Sequence, residues 1–174
     1  MTVAGFSFVA IVLFMIHEFD EIIFVRAWLK SRRKSENADD LWTRAGDKHY
    51  PSTAALALMI AEEFILISLL LGLCIVFDWR EFALGILIAH NLHLIGHLFD
   101  AARSKRWSPG APTAAITLPL IAVLIWVFVS TNELNPVWIM LGILIAAIIL
   151  LPNLAMLHRL APRFQKFIDK VYKS

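Results

Sequence analysis

The sequence predicts an all-α integral membrane protein: a single bundle of five transmembrane helices, N-terminus out and C-terminus in. Three observations predict it. Of the 174 residues 59% are hydrophobic, with a mean hydropathy of +0.71, too apolar for an ordinary soluble domain of this size. The apolar residues fall in blocks of about twenty, the length a helix needs to cross a bilayer core. Lipid permits only helices or closed barrels, and these blocks lack the alternation of barrel strands.

The first predicted span covers residues 3–29. No basic residue precedes it and no small-residue cleavage region follows, so it reads as a retained span rather than a signal peptide. The segment up to Tyr50 is polar and charged; around Leu41 and Trp42 it suits either a short surface helix or a solvated loop. Pro51 and Ser52 open the second span, 53–77, since proline is tolerated at a helix start. The link Asp78-Trp79-Arg80-Glu81 is short enough to make the third span, 82–102, an antiparallel neighbour. Trp107-Ser108-Pro109-Gly110 is a turn signal, followed by the fourth span, 111–129, with Pro119 as a kink. The fifth span, 137–157, has Pro152 and Asn153 disturbing its last turns, and a basic amphipathic cytoplasmic tail follows over 158–174.

Basic residues set the orientation. Seven lie between Arg26 and Lys48, three between Arg103 and Arg106 and five after His158, leaving only Arg80 for the other side. The positive-inside rule then puts those three regions in the cytoplasm. A net charge of +2 implies no nucleic-acid partner, and the lone Cys74, within an apolar run, reads as a packing residue.

Polar groups interrupt three of the apolar runs. The first carries His17, Glu18, Asp20 and Glu21, the second Glu62 and Glu63, and the third His90, Asn91, His93, His97 and Asp100. Ionisable groups inside a membrane are costly and mark functional sites. His17 lies nine residues before Arg26, Glu62 ten after Ser52 and His93 ten before Arg103. At about 1.5 Å per residue, three helices place ligand-type side chains at one depth, roughly 14–15 Å from the inner interface. His17, Asp20 and Glu21 share a helix face, as do His90, His93 and His97, with Asp100 one turn further. Glu18 is rotated away by about 100°. No Lys or Arg lies deep in these spans to balance the carboxylates, so either several are protonated or cations are bound. Oxygen and nitrogen donors without thiolate suit iron, zinc or manganese. His17-Glu18 begins like a zinc-protease helix motif, but position 21 would have to be His and is Glu.

With these residues assembled, the sequence resembles the HXXEE family of small bacterial multi-span membrane proteins. The motif maps onto His17, Asp20 and Glu21, with Asp20 replacing the first Glu of the pair. The Glu62-Glu63 pair, the third-span histidines and the Trp107-Ser108-Pro109-Gly110 turn fit the same pattern, so the resemblance runs through about Thr113. It implies a multi-pass protein of the bacterial inner (plasma) membrane and an enzyme of unstated reaction.

The sequence therefore leads to a membrane-embedded metalloenzyme with one or two divalent transition-metal ions, iron or zinc, and a carboxylate-rich set that favours two. The expected ligands are His17, Asp20, Glu21, Glu62, Glu63, His93, His97 and His90, with Asp100 orienting His97. Glu62, Glu63 and Glu21 are the expected catalytic groups. At bilayer depth the substrate is lipidic, and the reaction an oxidation with iron or a hydrolysis with zinc. Two other readings use the same residues: a metal-free acid/base isomerase or cyclase of isoprenoid- or sterol-like lipids, and a metal or proton transporter. The transporter would need a homodimer to supply the symmetry that this chain lacks.

Overall fold

A computed structural model describes residues 1–32, 46 and 48–172 of the chain. The described residues form five long helices: α1 (Val3–Arg32), α2 (Thr53–Phe77), α3 (Arg80–Ser104), α4 (Ala111–Ser130) and α5 (Pro136–Tyr172). Leu41 and Trp42 lie outside the described residues.

Local chemistry sets the helix ends. Ser52 caps α2 by accepting from the Ala55 N–H at 3.1 Å. Asp78 ends α2 in the left-handed conformation at φ 51°, its N–H returning to the Cys74 carbonyl. Lys105 ends α3 in the same way at φ 53°. Asn135 Oδ1 accepts from the Val137 N–H at 2.9 Å at the start of α5, the usual work of an N-terminal capping side chain.

The helices alternate in direction. At one end the Met1 amine donates to Thr131 Oγ1 at 2.8 Å, and the Asn135 N–H donates to Glu81 Oε1 at 3.1 Å. At the other end Arg26 Nη1 donates to the Tyr50 carbonyl at 2.6 Å, and Trp28 Nε1 to the Trp107 carbonyl at 3.3 Å.

Four helices, α2 to α5, are long and apolar enough to cross a membrane. Half of the most apolar window of α3 is buried, against 17–28% in the other three, so α3 is the central helix of these four. Its most extensive contact is with α5. There Gly85 and Gly142 let two backbones meet: a Cβ on Gly85 would stand 2.4 Å from the Gly142 carbonyl carbon. Small residues permit this approach in apolar bundles, where backbone proximity and dispersion contacts hold helices together. Phe6 of α1 and Phe128 of α4, both fully buried, meet with ring centroids 4.1 Å apart. The outside is also apolar: Phe8, Phe99, Trp126 and Met140 are 68–71% exposed. Apolar surface on this scale does not face water in a soluble monomer.

The fifth helix corrects the expectation of a separate tail. It runs unbroken through Pro152 and Pro162 to Tyr172, 37 residues in all. Each proline removes one i→i−4 bond and disfavours the helix, but in a bundle neighbouring helices can re-satisfy the freed groups. Asn153, beside the first proline, is held by a hydrogen bond from its Nδ2 to Glu62 Oε2 at 3.0 Å. Likewise α4 continues through Pro119.

Candidate metal centre

One turn of α1 and one turn of α3 face each other at the middle of the molecule. His17 and Glu21 are at i, i+4 on α1, and His93 and His97 at i, i+4 on α3, so each pair projects from one side of its helix. Their donor atoms converge. Glu21 Oε1 lies 2.9 Å from His97 Nε2, 3.6 Å from His17 Nε2 and 3.9 Å from His93 Nε2. The Nε2 atoms of His93 and His97 are 3.0 Å apart. One ligand atom from each residue falls within 4.8 Å of all the others. Four donors at about 2.0–2.2 Å from a common zinc-sized ion stand roughly 3.3–3.6 Å apart, and the observed separations bracket that range.

Proton counting supports the same use. Neutral His93 and His97 can share a proton between their facing nitrogens. His17 Nε2 is nevertheless buried with no hydrogen bond, and Glu21 Oε1, 2.9 Å from His97 Nε2, competes with His93 for the one proton that neutral His97 can carry there. Burying such atoms short of a proton costs free energy, which a cation at their meeting point would offset.

A second layer fixes His17. Asp20 Oδ2 accepts from the Gly110 N–H and from Thr113 Oγ1, each at 3.0 Å. Thr113 Oγ1 also lies 3.2 Å from His17 Nδ1. A hydroxyl has one proton to give; once it goes to Asp20, the oxygen can only accept from His17 Nδ1–H. The Nδ1–H tautomer leaves the Nε2 lone pair directed at the cluster, the arrangement that metal-binding histidines obtain from outer carboxylates.

Gly110 forms the floor. Its φ is 84°, and a Cβ there would lie 2.8 Å from His97 Cε1 and Nδ1 and 3.0 Å from Glu21 Oε1. The turn thus needs glycine twice, for its backbone angle and for its closeness to two of the four donors.

The other expected ligands stand outside the four-donor group. Asp20 faces the start of α4, which makes its carboxylate a support for His17. Glu62 is engaged by Asn153 of α5. The His90 ring packs edge-on to Phe14 at 5.3 Å, with centroids 6.0 Å from His17 and 6.1 Å from His93. Glu63 and Asp100 line a cavity of about 220 Å³ that also touches Glu21, His93 and His97.

That cavity corrects the reading of Glu18, which is 3% exposed and forms part of the wall. A 100° offset on a helix is enough to face the next neighbour: α1 lies against both α2 and α4. The missed signal was Glu18 and Glu21 at i, i+3, a shared side as good as that of His17 and Glu21. Tyr50 and His158 also line the cavity, and neither stood out in the sequence. Tyr50, in the segment before α2, is itself buried; burial first, and then the charge of Glu21, pushes its phenol well above the ordinary range, so it stays a proton donor.

No curated protein and no solved structure matches the chain. The model of the family described as proteins of unknown function with an HXXEE motif matches residues 8–125, a segment that includes all four donors, Asp20, Gly110 and Thr113. That segment is well over half of the chain, and the chain belongs to this HXXEE family.

Proposed function

We propose that the protein is a membrane-embedded metalloenzyme that holds one divalent ion, zinc or iron, on His17, Glu21, His93 and His97 and acts on a lipidic substrate. The observation that carries this reading is the convergence of four donor atoms beside a cavity. A closed four-ligand zinc site is ordinarily structural. Here three of the four ligand residues border open space of about 220 Å³, which leaves room for a reacting group next to the ion. The ion would supply Lewis acidity. Of the two chemistries, hydrolysis has the better support, because Glu18 and Glu63 stand in the cavity wall. Such a carboxylate can take a proton from water as it attacks an ester or amide carbonyl, then return the proton to the departing alcohol or amine. Leu56, Met59, Ile60, Leu154 and Leu157 give the cavity its apolar sides, in keeping with a lipid.

In this reading α1 is the fifth span. Its 30 residues give a helix of about 45 Å, longer than the roughly 30 Å core, and its polar half faces the protein interior. The basic clusters orient the bundle N-terminus out and C-terminus in, across a bacterial inner membrane. A reporter fused after Ser174 should be active only in the cytoplasm, and activity outside would invert the bundle.

Elemental analysis of the purified full-length protein tests the metal. About one equivalent should copurify and be lost in His97→Ala and Glu21→Gln. Thr113→Val should weaken metal binding by about 10- to 100-fold while leaving the fold intact, and Thr113→Ser should restore it. Protein that is well folded and free of metal, at native activity on its lipid, would replace this reading with acid/base chemistry.

A further inference from the structure

The cavity beside the four donors has a charge pattern that selects among lipids. We propose that it admits the polar end of a lipid carrying an alcohol or amine and excludes phosphate and carboxylate ends. This rests on the cavity being the substrate site, and it does not depend on the metal.

Four carboxyl groups border the space, Glu18, Glu21, Glu63 and Asp100, and among the described residues none that lines it is Lys or Arg. Glu18 is 3% exposed, lines the space and makes no hydrogen bond or ion pair among the described residues. A donor on an entering headgroup would supply its carboxyl group with a hydrogen bond. A bound divalent ion would engage Glu21 of this set and leave the Glu18 and Glu63 carboxyl groups facing the space. An anionic headgroup would add like charge in a poorly screened interior, whereas an ammonium or hydroxyl would supply that donor. Size narrows the class further. About 220 Å³ is below the 300–1,000 Å³ range of pockets that enclose a whole small molecule, so one polar end enters and the chain stays among the helices or in the bilayer.

Equilibrium binding tests this in full-length protein held in zwitterionic nanodiscs, with empty nanodiscs subtracting partition into lipid. The probes are radiolabelled octylamine, octanol, octanoate and octyl phosphate. Octylamine and octanol should bind at least 10-fold more tightly than the two anions. A Glu63→Gln variant should lose most of the preference for octylamine. Equal binding of octanoate or octyl phosphate, or no binding of any probe above empty nanodiscs, overturns the proposal. So does an octylamine preference that survives Glu63→Gln. Should the variant fail to fold, the ranking of the four probes on the native protein decides alone. Metal content measured on the same samples keeps the two readings apart: metal without amine preference defeats only this inference, and amine preference without metal defeats only the metal centre.

Discussion

Gly110→Ala should weaken the metal binding proposed for the four donors. The added Cβ would meet the His97 ring at 2.8 Å and Glu21 Oε1 at 3.0 Å, so the atoms that must shift belong to two of the four donor residues. His97 also packs against the His93 ring, with centroids 4.5 Å apart, so its displacement is passed to a third. The same substitution puts an L side chain at φ 84°, a backbone cost on the order of 1–3 kcal/mol. It also disturbs the Gly110 N–H bond to Asp20, and with it the Thr113 contact that sets the His17 tautomer. All four donors are therefore affected by one methyl group. Metal affinity, measured by competition with a chromophoric chelator, should fall by about 100-fold, the upper end of what loss of outer support usually costs. A variant that keeps native affinity and an unchanged thermal midpoint would show that the turn does not support the centre.

Gly85→Ala should cause the largest loss of stability of any single methyl addition in the bundle. A Cβ at position 85 would lie 2.4, 2.6 and 2.7 Å from backbone atoms of Gly142 and Ile143. Side chains can rotate aside, but backbone cannot, so α3 and α5 must separate along their most extensive contact. Overpacking costs about 1–3 kcal/mol even where side chains can adjust, and here the upper end or more is expected. Gly72→Ala is the matched control, because a Cβ there meets nothing within 4 Å. Its effect should be neutral or slightly stabilising, as alanine favours the helix by about 1 kcal/mol over glycine. Unfolding in mixed micelles, followed by helical circular dichroism, compares the two. Equal midpoints would mean that the close crossing carries no weight.

The helices were legible from block length alone, since a hydrophobic run of about twenty residues with turn signals on both sides has few other uses. Counting depth from the basic ends also brought His17 and His93 to one level, and they meet. Angular position was read less well. Helical spacing tells which residues share a side, but not which neighbour that side faces. Asp20 shares a side with His17, yet its carboxylate reaches the start of α4 rather than the cluster. Glu18, set aside by its angle, borders the cavity because α2 stands on that flank. Gly110 appeared only as a turn residue, because its second duty depends on how closely α3 and α1 approach the turn, a property of the assembled bundle. The end of α5 was misjudged for a related reason: proline disfavours helix in water, but in a packed apolar bundle every alternative exposes more backbone.

The cavity is built from two separate parts of the chain. Its donor side lies within residues 8–125, the segment matched by the family model, while Leu154, Leu157 and His158 on the far side belong to α5, beyond that segment. The donor set and the shape of the space beside it are thus written in different stretches of sequence, joined through the α3–α5 glycine crossing. Substitutions along the inward stripe of α5 can remould the space without touching a donor atom, which makes that helix the natural place to re-engineer selectivity for the proposed substrate.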